Sequence, residues 1–457
     1  MPAETTSVAT ALPTAAPEAH GLRTAELRRL IDELEAGGLD PHALLIARHG
    51  HVLFRGTWAP WDAETPALVY SVSKTFTAIA IGFLADDGLI DVDAPVDRYL
   101  DEPNPHGITV KHLLTMNTGH SREQTTELPF SVRSLLTIPG DFAPGTHFAY
   151  NSPASFTLSA IVTAVSGESL SDFLRPRLLD PLGIGPRWWI PLDGLDQGFS
   201  GLHLTVEDLT RLTICLADGG RFGGRQVVPV SFVQDAVEPW SDTRDPADPE
   251  SELGDWGRGY GYQLWLSRRG YRLDGAYGQF GVVVPERGIA IAYQGATTEA
   301  HRTLDALLRL VDAFSDSPVE GESVELGAEG LDSWSARDLL ASTDPVENAE
   351  GWTLDDAGTD RWRLTIPDAG AIDVGPDAWT RATLGAGDAS LLVAGRGERR
   401  TDGSVLVHVV VPSSPHRVIL VRDDAGLQVR WHTTPLWRPI IDTLHLPERV
   451  ARRTPTP

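Results

Sequence analysis

A change of pattern along the chain limits its fold more than any other feature. Up to residue 314, strand-like and helical runs alternate; beyond residue 351, strand-like runs follow one another with turn signals between them. Leu27, Leu30, Ile31 and Leu34 recur at helical spacing between Thr24 and Ala36, and Gly37–Gly38 stop the run. "ALLIARHGHVLFRGTW" reads as two strands joined at His49–Gly50. Phe76, Ile79, Phe83 and Leu84 line one face of a helix that Gly88 ends. Further helices are expected after "YNSP", with Ser152 as N-cap and Pro153 at the first helical position, and around Glu207 to Leu216. Strands return in "YGYQLWLS", "QFGVVVPE" and "IAIAYQG", before a helix over 301–314. This order predicts an α+β domain over 24–314: an antiparallel sheet flanked by helices, with a helical insertion. Residues 352–457 read as a smaller all-β domain, a barrel or sandwich, whose strands are separated by turns such as Asp402–Gly403. Residues 315–351 read as an acidic linker with some local structure, and 1–23 as a flexible tail.

Charge and composition narrow the function classes. A net charge of -25 over 457 residues repels nucleic acid and anionic membrane, so neither is expected as a partner. No stretch approaches the ~18 apolar residues of a membrane helix, and the first residues lack the basic start and apolar core of a signal peptide. The single cysteine, Cys215, rules out an internal disulfide. A cytoplasmic protein is expected. Oligomeric state is left open.

Several catalytic signatures are missing: GxSxG, HExxH, CxxC, a Walker A loop, and GxGxxG after a strand. The acidic run Asp91, Asp93, Asp97 lacks the glycine and terminal Glu of a calcium loop and reads as a solvated turn. What remains is Ser71-Val72-Ser73-Lys74, in a chain with two lysines, Lys74 and Lys111. A serine hydroxyl needs a neighbour to take its proton. A lysine one helical turn away can do so if neutral, with its pKa brought well below ~10.4 by burial or a helix N-terminus. Arginine cannot. The plainer reading makes Ser71 a helix cap and Lys74 a surface charge; Lys111 is read as a surface charge or local pair.

Other stretches accompany this motif. "YSVSKTFTAIAIGFLADDGLIDVDAPVDRYL", "ITVKHLLTMNTGH", "PGTHFAYNSPASFTLSAIVTAVSGESLSDFLRPRLLDPLGI", "GLHLTVEDLTRL" and "DGAYGQFGVVVPE" occur in that order. Together they resemble the serine β-lactamase/penicillin-binding-protein superfamily, in particular its class C β-lactamase-like branch, across about residues 24–314. The resemblance implies a β-lactamase/transpeptidase-like fold. It implies Ser71 as nucleophile, Lys74 as general base and Tyr150 as the tyrosine of a Tyr-x-Asn motif. Ser152 stands where that motif has asparagine; helix capping is its alternative role. Ala276-Tyr277-Gly278 correspond to the family's Lys/His-Thr-Gly on the edge strand, where Gly278 would let substrate approach. The backbone amides of Ser71 and Gln279 would form the oxyanion hole. Ala276 removes the cation that helps β-lactamases and DD-peptidases bind the substrate carboxylate. Tyr277 is either a pocket wall or a packed strand aromatic.

The reaction expected is hydrolysis of an ester or amide in a small-molecule or peptide substrate, through an acyl-enzyme, without cofactor or metal. Alternatives are a thioesterase or peptide cyclase of the penicillin-binding-protein type, which also carries a lipocalin-like C-terminal domain; a β-lactamase or DD-peptidase; and a non-catalytic binding protein on the same fold. Trp188–Trp189, Tyr260, Tyr262 and Trp265 read as core aromatics that could also line an acyl pocket; His147 and His203 read as structural.

Overall fold

The computed structural model describes residues 11–185, 187–244, 254–321, 344–347, 349–386, 390–436 and 441–444, and the backbone of 329–332. A seven-stranded sheet forms its centre. In chain order its strands are β1 (Pro41–Arg48), β2 (His51–Ala59), β3 (Trp265–Leu266), β4 (Tyr271–Gly275), β5 (Gln279–Val284), β6 (Ile289–Gly295) and β7 (Glu329–Asp332). Their spatial order is β7-β2-β1-β6-β5-β4-β3, antiparallel except for β7, which runs parallel to β2. The β1–β2 hairpin turns at His49 and Gly50, both at positive φ, the geometry whose twist matches paired strands.

Alternate residues of β1 enter different cores, as a two-residue repeat requires. Leu44 and Ile46 join Leu27, Leu30 and Leu34 of helix α1 (Thr24–Ala36), while Leu45 and Ala47 join the larger core beneath the helical insertion. That insertion contains α2 (Ser73–Asp86), α3 (Ser152–Ser166) and α4 (Val206–Ala217). Helix α5 (Ala300–Ala313) packs beside α1 with Leu304, Leu307, Leu308 and Val311 buried.

The N-terminal segment differs from the expected reading. Residues 1–10 lie outside the described residues, but 11–23 are packed: Leu12 and Leu22 are buried, and Thr14 bridges to Val52. Within the acidic segment after residue 314, β7 adds a strand to the central sheet, and Val319 hydrogen-bonds back to Glu18.

The C-terminal region is all-β. β8 (Thr353–Gly358), β9 (Arg361–Ile366) and β10 (Gly370–Val374) form one sheet. β11 (Thr380–Leu384), β12 (Leu391–Arg399), β13 (Val405–Val410), β14 (Arg417–Asp423) and β15 (Gly426–Trp431) form a second. Trp362, Leu364, Val374, Val407, Val409, Leu420 and Trp431 fill the space between them. A closed barrel is not formed among the described residues: the ladder breaks between β10 and β11. Pro376, which has no amide to donate, lies at that break.

The β13–β14 turn of this region reaches the site. Hairpin tips normally face water, yet every residue from Val411 to His416 is buried. The Ser413 carbonyl accepts from the Leu68 amide at 2.9 Å. Arg417, the residue after His416, forms a fully buried ion pair with Asp40, 2.6 Å apart. Trp61 packs with Ala394 and Val410 across the same interface.

Candidate active site

Ser71 occupies a single 3₁₀ turn, Tyr70–Val72, directly before α2. Tyr70 has φ 47°, a left-handed conformation that costs a non-glycine residue on the order of 1–3 kcal/mol. The turn leaves Ser71 partly exposed while Tyr70 and Val72 are buried. α2 is an apolar helix buried on nearly all sides, and it carries Lys74 inward.

Lys74 lies on the same face as Ser71, as a spacing of three predicts. Its Nζ is 3.0 Å from Ser71 Oγ, 2.9 Å from the Phe199 carbonyl oxygen and 3.4 Å from Ser152 Oγ. Lys74 is 1% exposed, and no carboxylate among the described residues pairs with it. Burial therefore lowers its pKa to about 7, because an ammonium loses more than an amine on leaving water.

Tyr150 approaches from the loop before α3, near enough for the Ser71 side chain to lower the pKa of its phenol. Lys74 Nζ sits over the Tyr150 ring, 4.8 Å from its centroid. The two groups therefore meet at Ser71. Burial raises the Tyr150 phenol well above the usual tyrosine range; the neighbouring Ser71 side chain offsets part of that rise and the nearby Asp274 adds to it. Tyr150 stays protonated near neutral pH, a donor rather than a base. Trp265 stacks on its ring and Tyr260 meets it edge-on, so two of the aromatics read as core flank the site.

The N-cap of α3 differs from the sequence reading. Asn151, not Ser152, caps the helix: its side-chain oxygen accepts from the Ala154 amide at 3.0 Å. Asn and Ser are equally good caps, and proline is tolerated at either of the first helical positions, so the pattern fits both registers. With Asn151 as cap, Ser152 becomes the first helical residue, and its hydroxyl is free to face Lys74. Asn151 also donates to Thr118 Oγ1 at 3.0 Å, which links it to the "LLTMNTGH" stretch.

Ala276, Tyr277 and Gly278 form the turn between β4 and β5 rather than part of an edge strand, and β3 lies outside β4. Gly278 has φ 86°, so its glycine serves the turn; a Cβ there would meet nothing nearer than 3.6 Å. A close approach within the protein falls at Gly275, where a Cβ would lie 2.4 Å from the Val69 carbonyl oxygen. That contact brings the β4–β5 turn against the segment that carries Ser71. Gln279 opens β5 opposite Gly275, and its side chain donates to the Gly295 carbonyl at 2.6 Å. Tyr277 has φ 64°, and its phenol donates to the Thr434 carbonyl of the all-β region.

Sequence reasoning missed Tyr70, Asn151, Phe199, Gly275 and the residues beyond 411. Tyr70 and Asn151 adjoin motif residues. Gly275, in "DGAYG", carried a signal as a second glycine beside the turn. Lys111 proves to be a local pair, its Nζ 3.6 Å above the Trp240 ring and 3.9 Å from Asp93. His203 is buried against the Gly201 carbonyl, and its pKa falls to about 4 through burial.

Ser71, Lys74, Tyr150 and Ser152 thus converge, with the β4–β5 turn opposite. Such a cluster has the parts of a nucleophile, a base and a proton donor.

Comparison with known proteins agrees in kind. The lovastatin esterase of Penicillium rubens is 27% identical over 202 residues, covering 37% of this chain and 50% of that protein. The 6-aminohexanoate-dimer hydrolase of Paenarthrobacter ureafaciens is 28% identical over 225 residues, covering 43% of this chain and 56% of that protein. The chain spans roughly half the length of these curated relatives. The solved octameric penicillin-binding-protein homologue from Pyrococcus abyssi superposes with a TM-score of 0.52 at 18% identity, covering 89% of this chain and 99% of that one. At this identity the likeness concerns the fold, and its coverage takes in the all-β region as well. Residues 27–313 match the family described as Beta-lactamase, and the chain belongs to the beta-lactamase family.

Proposed function

We propose that this protein is a serine hydrolase that cleaves an ester or small amide through an acyl-enzyme on Ser71. One observation carries the reading: the Ser71 hydroxyl lies between a buried lysine whose pKa has fallen to about 7 and a tyrosine held protonated. Neutral Lys74 takes the Ser71 proton as Oγ attacks the carbonyl carbon. The Ser71 and Gln279 amides hold the oxyanion. Tyr150 donates its proton to the leaving group and recovers one through the Ser71–Lys74 pair. Water, deprotonated in the same way, then releases the acid.

The surroundings favour an uncharged, apolar acyl group. Phe130, Phe148, Trp265 and Tyr277 are partly exposed around the site, and Ala276 brings no cation to it. The relatives' names, an esterase and an amide hydrolase, are consistent with this. A cytoplasmic setting remains part of the proposal; no helix among the described residues is long and apolar enough to cross a membrane.

The test is a panel of p-nitrophenyl esters, small amides and nitrocefin with wild type and Ser71→Ala. Ester or amide turnover that Ser71→Ala abolishes in a folded protein supports the reading. Undiminished turnover by Ser71→Ala would refute it. Nitrocefin should be a poor substrate, and rapid hydrolysis at micromolar concentration would show that another group replaces the missing cation.

A further inference from the structure

The nucleophile segment and the turn opposite it are both fastened to the C-terminal all-β region. Tyr70, directly before Ser71, has its phenol 2.5 Å from His416 Nε2, a residue 346 positions away. Tyr277, two residues before Gln279, donates its phenol proton to the Thr434 carbonyl. The rings of Tyr70, Tyr277 and His416 meet edge to face with centroids 5.5–5.8 Å apart.

The bonding around His416 fixes its tautomer. Nδ1 lies 2.8 Å from the Thr433 carbonyl oxygen, which can only accept, so Nδ1 carries the hydrogen. Nε2 is therefore bare and accepts from the Tyr70 hydroxyl. His416 is fully buried, and burial lowers its pKa to about 3, so it stays neutral in the working range. Its position is set from the next residue: side chains alternate along a strand, and Arg417 is locked to Asp40 in the catalytic domain.

We propose that His416 is a positioning residue for the reaction at Ser71: its bond to Tyr70 holds that residue's left-handed conformation and so aims the Ser71 hydroxyl and amide. This makes the all-β region a structural part of the catalytic centre. Tyr70 would otherwise relax toward a lower-energy backbone state, and small misplacements of reacting groups are costly in rate. The inference rests on the acyl-enzyme reading above, and its test separates the two.

The experiment is a double-mutant cycle with Tyr70→Phe and His416→Leu. It reads the rate of covalent labelling of Ser71 by a fluorophosphonate, and kcat and KM on a p-nitrophenyl ester. Each single variant should lower the labelling rate and kcat about tenfold, a fraction of the 10²–10³ that losing an oxyanion donor costs, with KM little changed. The pH midpoint should stay in place, because His416 does not titrate there. The double variant should be no worse than the weaker single, since both remove one bond. Wild-type kcat in either variant, a loss confined to KM, or multiplying effects would overturn the proposal. If His416→Leu does not fold, Tyr70→Phe removes the same bond while keeping the ring, and its unchanged kcat would overturn it. An active Ser71→Ala, or a wild type that takes no label, overturns both readings. An inactive Ser71→Ala beside unimpaired Tyr70→Phe and His416→Leu overturns this one alone.

Discussion

Lys74 shows how one residue's environment decides its chemistry. On a surface it would be an ammonium; in α2, with carbonyl and hydroxyl oxygens around it and no paired carboxylate among the described residues, it approaches neutrality near pH 7. Two consequences have defined signs. The free-enzyme kcat/KM should rise with pH through a midpoint near the lowered lysine value, because the neutral amine is the active form. That midpoint belongs to the coupled Lys74–Ser71–Tyr150 set. The second consequence concerns stability. The folded pKa lies below the unfolded one, so between pH 7 and 10 the unfolded chain binds more protons and stability rises with pH. Lys74→Met should therefore be inactive yet more stable than wild type at pH 6, as chemical denaturation would show. A less stable Lys74→Met would mean that the lysine is structurally required. The serine–lysine pairing was legible from sequence because three-residue spacing on a helix fixes a shared face. The burial that lowers the Lys74 pKa was not, because the groups covering it, Phe199 and Tyr150, come from distant segments.

Elements were legible where local pattern dictates them. The β1–β2 hairpin, α1 and α2 follow from periodicity and glycine stops. Cap assignment at α3 was not, since adjacent Asn and Ser compete for one role. The structure predicts that Asn151→Ala should lose about 1 kcal/mol of stability from the cap, with a further cost for the lost bond to Thr118, whose hydroxyl keeps His120 as its partner. It should also lower kcat by displacing Tyr150 and Ser152. Ser152→Ala should leave stability within about 0.5 kcal/mol, which thermal unfolding can distinguish. The β4–β5 turn depends on a single small residue. Gly275→Ala sets a methyl against the Val69 carbonyl oxygen, and backbone must move. A loss of about 1–3 kcal/mol and a marked fall in kcat are expected; an Ala variant with full activity would show that this contact does not set the site.

At the scale of the molecule, the all-β region was legible as strands, but its docking was not, because nothing local marks a Pro-Ser-Ser-Pro turn as buried. The contacts that bury it join residues hundreds of positions apart, and they include the Asp40–Arg417 pair with His408 2.9 Å from the guanidinium. Burial alone would raise the Asp40 pKa, but Arg417, His42 and His432 together outweigh it and hold the carboxyl well below the usual range. Its stabilising contribution is present above the ordinary carboxylate pKa and is lost as pH falls through the lowered value. Asp40→Ala leaves Arg417 buried and unpaired, and should cost about 3–5 kcal/mol in denaturant unfolding. Replacing both partners by leucine should recover much of that loss. Double and single variants of equal stability would show that the pair does not hold the interface.

The central claim is that Ser71 is activated by a neutral Lys74. Its most direct test follows covalent labelling by a fluorophosphonate, using intact mass and the mapped site, across pH for wild type and Lys74→Arg. The account predicts one adduct, on Ser71, at a rate that rises with pH through a midpoint near 7. It predicts a loss of about 10²–10⁴ in that rate for Lys74→Arg, because arginine keeps the charge but cannot take the proton. An adduct at another residue, or a Lys74→Arg protein labelled within a few-fold of wild type, would contradict it.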